Sequence, residues 1–491
     1  MKELLFSTPE AEGVRSSDIL RLISFIEENK INLHSLILLR HGRVIAEGYV
    51  PPFGEDFLHR LYSSTKTYVA VAVGMLITEG KLKTSDRVLS FFPEYDTDEV
   101  PEAMRRCTVE HALMMSTPQF PIRYPEGRRA ANPFALPCHK PAGAFFAYNN
   151  GADILARVVE RVSGMGLVEY MRPLFDKLGI SREVRCIKDT DGGAWGGSGM
   201  LSTTRDFARF AMLVHNRGEV DGEQLVDRAY MELMTSKRSE SNIAKNSYSP
   251  LLAGGYGYLS WITPDAVCMR GMGCQQAYCF RDKDLVFVCT GDTMTDADFA
   301  DVRLYDAVKY IVYDNLSSEP LPTSPELDTL RQKLGSLKMP TYGTASSPMA
   351  EAVSGKVWQL DENPMGWSWA RLDLCNGEGK LTYENARGVK LIRFGLGVGL
   401  KTTFPEQHYY SEQRGVPSGR ELDSVAVGEW IEDNKLLLRI YITDVSFGSI
   451  FALISFVDGG IAMSLNKRGE FLLDDYGGWA VGSCKQDSDE K

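Results

Sequence analysis

Two rhythms divide this chain. Through about residue 316, apolar positions recur mainly three and four apart. That period predicts helices over Ser16–Asn29, Thr67–Glu79, Asp153–Ser163, Thr203–Asn216, Asp227–Thr235 and Asp296–Asn315. Period-two runs stand at both ends of the same region. Ser35–Arg40 and Val44–Tyr49 flank His41-Gly42-Arg43, and a later strand, Leu285–Cys289, follows the turn Arg281–Asp284. Hairpins at the two ends can share one sheet with most helices lying between them in sequence, which is an α+β layer arrangement.

The second rhythm starts at Lys356. Short alternating runs follow one another at Val357–Leu360, Trp369–Leu374, Lys380–Glu384, Val389–Phe394, Ser424–Glu432, Lys435–Thr443, Ile450–Val457 and Ala462–Asn466, separated by Gly, Asn and Asp. Many short strands with such turns predict a small antiparallel β-barrel or sandwich. Between the two regions, Ser317–Pro325 is rich in proline and serine, Glu326–Leu337 reads as a short helix, and Pro340–Ser354 is loop-like. The expected division is therefore 1–316, a linker at 317–354, and 355–491.

Composition narrows the class of partner. The chain has 491 residues, long enough for more than one domain. A net charge of −11 disfavours nucleic acid and anionic membrane, both of which select basic patches. No run reaches the apolar length of a membrane span, and the stretch after Met1 is too short for a signal peptide. The nine cysteines are scattered without a Cys-x-x-Cys pair and read as reduced thiols in a cytoplasmic protein. The seven histidines form no metal-binding spacing, so no metal or cofactor is expected. No phosphate-binding glycine loop occurs, and Gly196-Gly197-Ser198-Gly199-Met200 fails the nucleophile-elbow pattern at its last position.

The candidate chemistry begins at Ser63-Ser64-Thr65-Lys66, which opens the apolar run Tyr68–Ile77. Residues three apart on a helix share a face, so Lys66 Nζ can reach Ser63 Oγ. A serine is a weak nucleophile until a neighbouring base takes its proton. Two further Ser-x-x-Lys runs, Ser464 with Lys467 and Ser488 with Lys491, open no helix. Alone, Ser63 also reads as an ordinary N-cap. A second element is Tyr148-Asn149-Asn150, set between a Pro/Gly turn (Pro141 to Gly143) and the helix from Asp153. The same Tyr-x-Asn triplet occurs at Tyr313 and Tyr383, so the setting distinguishes Tyr148, not the triplet.

In the order of these elements the chain resembles the serine β-lactamase-like hydrolases, the group of class C β-lactamases, DD-peptidases and related esterases and amidases. The matching segments are the hairpin at His34–Val50, Leu61–Lys66, Thr108–Thr117, Tyr148–Asn150 and the glycine-rich approach to a helix at Trp195–Asp206. The resemblance covers roughly residues 8 to 315 and implies a β-lactamase/transpeptidase-like antiparallel sheet flanked by helices. It further implies that Tyr148 passes a proton to the leaving group. Some members of the group carry a lipocalin-like C-terminal domain similar to the one expected here. Thr203 with Asp206 is a capping-box signature and is assigned a structural role.

The third element of the family is a Lys-Thr-Gly, a His-Thr-Gly or a glycine-rich variant on the strand edging the site. The corresponding region here is Met269–Tyr278, and the best register sets Met272 where the cation would stand. Met272, Gly273, Cys274 and Gln275 are accordingly expected to line the substrate site, with Asn150 orienting substrate or Lys66. Backbone N–H groups of Ser63 and of Gln275 or Gln276 are expected to receive the oxyanion. The preferred reading is acyl transfer through Ser63, Lys66 and Tyr148 on a small ester, amide or peptide. A penicillin-recognising enzyme or D-amino-acid-specific peptidase, and a silent binding protein of the same fold, stand as alternatives. Substrate identity and oligomeric state are not encoded in any of these patterns.

Overall fold

The hairpin near the N-terminus joins a seven-stranded sheet as its second and third strands. The computed structural model describes residues 4–119, 132–189, 191–241, 251, 254–293, 300–405, 421–444, 447–457, 459–469 and 476–484. Strands β1 (Leu5–Phe6), β2 (Leu33–Arg40) and β3 (Arg43–Tyr49) open the chain. A small three-stranded sheet joins β4 (His59–Arg60), β5 (Arg185–Cys186) and β6 (Met200–Ser202), and β7 (Glu219–Val220) pairs with β8 (Glu223–Gln224). Then come β9 (Trp261–Ile262), β10 (Val267–Gly271), β11 (Gln275–Phe280) and β12 (Leu285–Gly291). The large sheet runs β1-β3-β2-β12-β11-β10-β9, antiparallel except for the parallel pair β1–β3. The two ends of the region thus meet at β2–β12, with Leu38 opposite Phe287.

Helices pack where the apolar spacing places them. In α1 (Ser16–Glu28), Ile19, Leu22, Ile23 and Ile26 form the buried stripe. Helix α2 (Thr65–Thr78) is apolar all round and is buried along nearly its whole length, Thr65 to Gly74 without a break. Two short helices, α3 (Glu102–Arg105) and α4 (Val109–Leu113), precede α5 (Gly151–Ser163) and α6 (Leu167–Leu178). After them come α7 (Thr204–His215) and α8 (Arg228–Met234). The helix predicted over Asp296–Asn315 is described from α9 (Ala300–Ala307), continuing through a wider turn to Val312; residues 296–299 lie outside the described set. Thr203 caps α7 by accepting from the Asp206 N–H at 3.1 Å.

The C-terminal strands close on themselves. They are β13 (Val357–Leu360), β14 (Trp369–Cys375), β15 (Glu378–Asn385), β16 (Gly388–Leu396), β17 (Leu400–Phe404), β18 (Leu422–Glu432), β19 (Lys435–Thr443), β20 (Phe447–Val457), β21 (Gly460–Gly469) and β22 (Gly478–Cys484). The barrel has nine strands, closed by β13–β22 and by a parallel pairing of β16 with β18 at Val427 and Gly428; β17 pairs with the adjoining stretch of β18, Leu422 to Ala426. Of the two expected forms the structure selects the barrel, and it corrects "antiparallel" at that one closing pair. Strands β17 and β22 were missing from the pattern. The first has only Leu400 and Phe404 as apolar residues, and the second is interrupted by Gly478 and Gly482. Helix α10 (Glu326–Leu334) ends three residues short of the predicted span, because Leu337 and Met339 turn away to bury in the first core.

Alternate residues of the barrel strands fill its interior, Trp358, Tyr383, Phe394, Leu438 and Ile454 among them. The outer face of β18–β20 is buried too, against the sheet region: Val425 and Tyr441 join that core, and Ser449 Oγ donates to Asp292 Oδ2 at 2.6 Å.

Candidate active site

Ser63 lies in a short helical turn, Tyr62–Ser64, that runs directly into α2. The residue before it, Tyr62, has φ 47°, a left-handed conformation that costs energy in a non-glycine residue and is held by its surroundings. Those surroundings are hydroxyl bonds to three separate segments. Ser64 Oγ donates to the Gln275 carbonyl at 2.8 Å, Thr65 Oγ1 accepts from the Met200 N–H at 3.0 Å, and Thr67 Oγ1 donates to the Leu259 carbonyl at 3.0 Å. The hydroxyl-rich run thus anchors the start of α2 to β11, to β6 and to the loop before β9.

A buried arginine completes the support. The Arg60 guanidinium is sandwiched between the Tyr62 and Trp195 rings, 4.3 and 4.2 Å from their centroids, and donates to Ser198 O and Ser198 Oγ, both at 2.9 Å. It fastens the glycine-rich loop Trp195–Gly199 to the Ser63 turn. Gly196 allows that loop to approach α5: a Cβ there would sit 2.6 Å from Ala152 O and from Ala156 Cβ.

Lys66, 5% exposed, donates to Ser63 Oγ at 2.9 Å and to the Gly197 carbonyl at 2.6 Å. Its Nζ also lies 4.8 Å from the Tyr148 ring centroid, in cation–π range. Tyr148 is half-buried and stacks on Trp261 at 5.8 Å, with Tyr256 edge-on to both rings. Burial pushes the Tyr256 hydroxyl well above the usual phenol range, with the neighbouring Tyr148 adding to the shift. Ser63, Lys66 and Tyr148, named from separate sequence elements, therefore occupy one place.

Asn150 adjoins the Tyr148 loop at the start of α5. It is the N-cap residue of α5, and its carbonyl accepts from Asp153 N and Ile154 N, without a side-chain cap bond. Among the described residues it makes no hydrogen bond to Lys66; that place is taken by the Gly197 carbonyl, which the sequence reading missed. Its neighbour Asn149 carries the loop instead, donating to Thr117 Oγ1 at 2.6 Å and to Gln119 O, and accepting from Gly151 N. The paired glycines 196 and 197 were the available signal, since close backbone approach is what glycine permits.

The third element also requires correction. Met269-Arg270-Gly271 ends β10, whereas Met272, Gly273 and Cys274 form the turn into β11, so Met272 does not occupy the strand position assigned to it. β10 borders the Ser63 turn closely enough that a Cβ on Gly271 would sit 2.2 Å from Leu61 O. Met272 is 38% exposed at the turn. Cys274 and Gln275 are buried and unavailable as lining side chains: Gln275 Nε2 donates to the carbonyls of Met272, Gly273 and Gly291, and so holds the turn from inside. The Gln275 carbonyl is bound by Ser64. Arg270 is engaged as well, its guanidinium on Asp301 Oδ2 at 2.5 Å.

Comparison with known proteins decides the family. A family model described as Beta-lactamase matches residues 25–309. The chain belongs to the Beta-lactamase family. A relative within reach of sequence comparison, the 6-aminohexanoate-dimer hydrolase of Paenarthrobacter ureafaciens, is 25% identical over 250 residues, 47% of this chain. The match spans 64% of that relative's length. Among solved structures, a novel penicillin-binding protein homologue from Caulobacter crescentus superposes with TM-score 0.50 at 16% identity, over 64% of this chain and 99% of that one. The octameric penicillin-binding protein homologue from Pyrococcus abyssi gives 0.49 at 16% identity, over 94% of this chain and 100% of that one. At such identities the likeness is one of fold. Among the described residues of this Beta-lactamase family chain, no group of three or more His, Cys, Asp or Glu could hold a metal ion, and no helix is long and apolar enough to cross a membrane.

Proposed function

We propose that this member of the Beta-lactamase family is a serine hydrolase of small esters or amides, working through an acyl-enzyme on Ser63. The observation that carries the reading is the 2.9 Å bond from a buried Lys66 Nζ to Ser63 Oγ. Ser63 Oγ attacks the substrate carbonyl carbon while its proton passes to Lys66. The tetrahedral intermediate collapses, the acyl–oxygen or acyl–nitrogen bond breaks, and the leaving group takes a proton by way of Tyr148. Water then attacks the acyl-enzyme and the proton path runs in reverse. The oxyanion is received by the N–H of Ser63 and an N–H at the end of β10 near Gly271, where that strand runs past its pairing with β9 at Val267 and Cys268. Losing one such donor typically costs about 10² to 10³ in rate.

The engagement of Arg270 by Asp301, together with Met269-Arg270-Gly271 at the strand end, supports substrates without a carboxylate to anchor over β-lactams and D-Ala-D-Ala peptides. A relative named as a 6-aminohexanoate-dimer hydrolase supports hydrolysis of a small molecule. We further propose the division 1–316, 317–354 and 355–491, with the barrel bracing the end of β12 through Ser449 and Asp292.

Intact-mass spectrometry after exposure to a fluorophosphonate and to a panel of esters, amides and β-lactams tests the reading. A covalent adduct on the Ser63 peptide, absent in Ser63→Ala, is the expected result. Unchanged labelling or turnover in Ser63→Ala overturns it.

A further inference from the structure

We propose that Asp153 is a positioning residue for Lys66, acting through Gly197; the inference rests on the reading of Lys66 as the base. Asp153 stands in the first turn of α5, where a carboxylate ordinarily folds back on the helix N-terminus. Here it reaches across to the glycine-rich loop, and its Oδ1 accepts from the Gly197 N–H at 2.7 Å. The carbonyl of the same residue accepts from Lys66 Nζ at 2.6 Å. One residue thus faces the carboxylate with its donor and the lysine with its acceptor.

The arrangement leaves no slack. A Cβ on Gly197 would lie 3.0 Å from Asp153 Oδ1 and 3.3 Å from Oδ2, so the carboxylate is already at contact with that backbone. Gly196 is held against Ala152 O, on the same helix turn as Asp153. Lysine is a flexible four-carbon chain whose rotamers cost entropy to fix, and its Nζ has two hydrogen-bond partners here, Ser63 Oγ and Gly197 O. Fixing the Gly197 carbonyl therefore fixes where Nζ sits relative to the nucleophile. Because α5 also follows directly from the Tyr148 loop, one helix N-terminus sets both the phenol and the acceptor for the amine.

The test uses the full chain and the second-order rate of fluorophosphonate labelling, with far-UV circular dichroism to report folding. Asp153→Ala is expected to slow labelling by up to about 10²-fold, the loss typical of a reacting group displaced by about 1 Å. Asp153→Asn keeps an Oδ1 acceptor for the Gly197 N–H and is expected to recover at least tenfold of that loss, a rescue that a general loss of structure would not give. Gly197→Ala, which pushes the carboxylate away while leaving Asp153 in the chain, is expected to slow labelling as Asp153→Ala does, and serves if that variant does not fold. Wild-type labelling rates in Asp153→Ala or Gly197→Ala overturn the inference, as do equal losses in Asp153→Ala and Asp153→Asn. Labelling that survives in Ser63→Ala sinks the underlying reading instead, so the two failures are distinct.

Discussion

Lys66 Nζ donates to Ser63 Oγ from one helical turn deeper, across 2.9 Å, at the mouth of a helix buried along nearly its whole length. Nucleophile and amine therefore move only if the core moves. Replacing Lys66 with the similarly long, neutral methionine should keep the fold and lower the fluorophosphonate labelling rate by about 10²- to 10⁴-fold, the usual share of a general base. Tyr148→Phe keeps the stack on Trp261 and should lower turnover of an ester substrate by a similar factor. Steady-state kinetics on any ester identified in the panel would check it.

Arg60 should be intolerant even of lysine. A lysine cannot lie flat between Tyr62 and Trp195 while serving both oxygens of Ser198. Arg60→Lys is expected to lose on the order of 1.5–3 kcal/mol of stability, the worth of charged-group hydrogen bonds. Labelling of Ser63 should also slow, since the Gly197 carbonyl belongs to the loop that Arg60 fastens. Urea denaturation and labelling rates measured on one preparation would separate the two effects.

A buried histidine pair should make stability depend on pH. His34 Nδ1 and His59 Nε2 are 3.0 Å apart, with His34 stacked on Phe53 at 3.6 Å. Desolvation holds His34 well below the ordinary imidazole range, with His59 adding to the shift, and holds His59 down to about 3. Both are neutral in the native protein, while the unfolded chain binds protons near pH 6.5. The native state therefore has its full stability above that pH and loses it as pH falls, by about 1.4 kcal/mol per unit for each histidine. Unfolding midpoints measured from pH 7.5 down to 5 should fall accordingly, and His59→Gln should roughly halve the slope.

The barrel contributes a buried ion pair. Arg439 donates to Glu429 Oε2 at 2.7 Å, each side chain only 1% exposed, and Glu429 also accepts from Tyr342 N. Glu429→Gln or Arg439→Met alone leaves a charge without its counter-ion in the interior and should destabilise by about 3–5 kcal/mol. Replacing both with apolar residues should cost far less or nothing. Denaturant titration of the two single variants and the double variant gives the coupling directly.

Local pattern alone marked out much of this protein. The stripe of α1, the apolar run of α2 from Tyr68 to Ile77, the β2–β3 hairpin and eight of the barrel strands are visible because burial leaves its mark on neighbouring residues. Ser63 and Lys66 could be paired from sequence for the same reason, since a spacing of three on a helix is a distance. Groups brought together by chain closure were invisible. The Gly197 carbonyl reaches Lys66 from 131 residues away, and Arg60 reaches Ser198 across 138. Met272 was misplaced because the register of a glycine-rich hairpin is set by its ladder, Gly271 opposite Gln275, and not by its composition. Strands β17 and β22 escaped because the first has only two apolar residues and the second, interrupted by Gly482, fully buries only Ala480, too little to leave a period. Sequence determined which segments have a face to hide; the tertiary structure decided which backbone carbonyls and buried charges those faces bring together, because such contacts depend on packing between segments and leave no mark in either one.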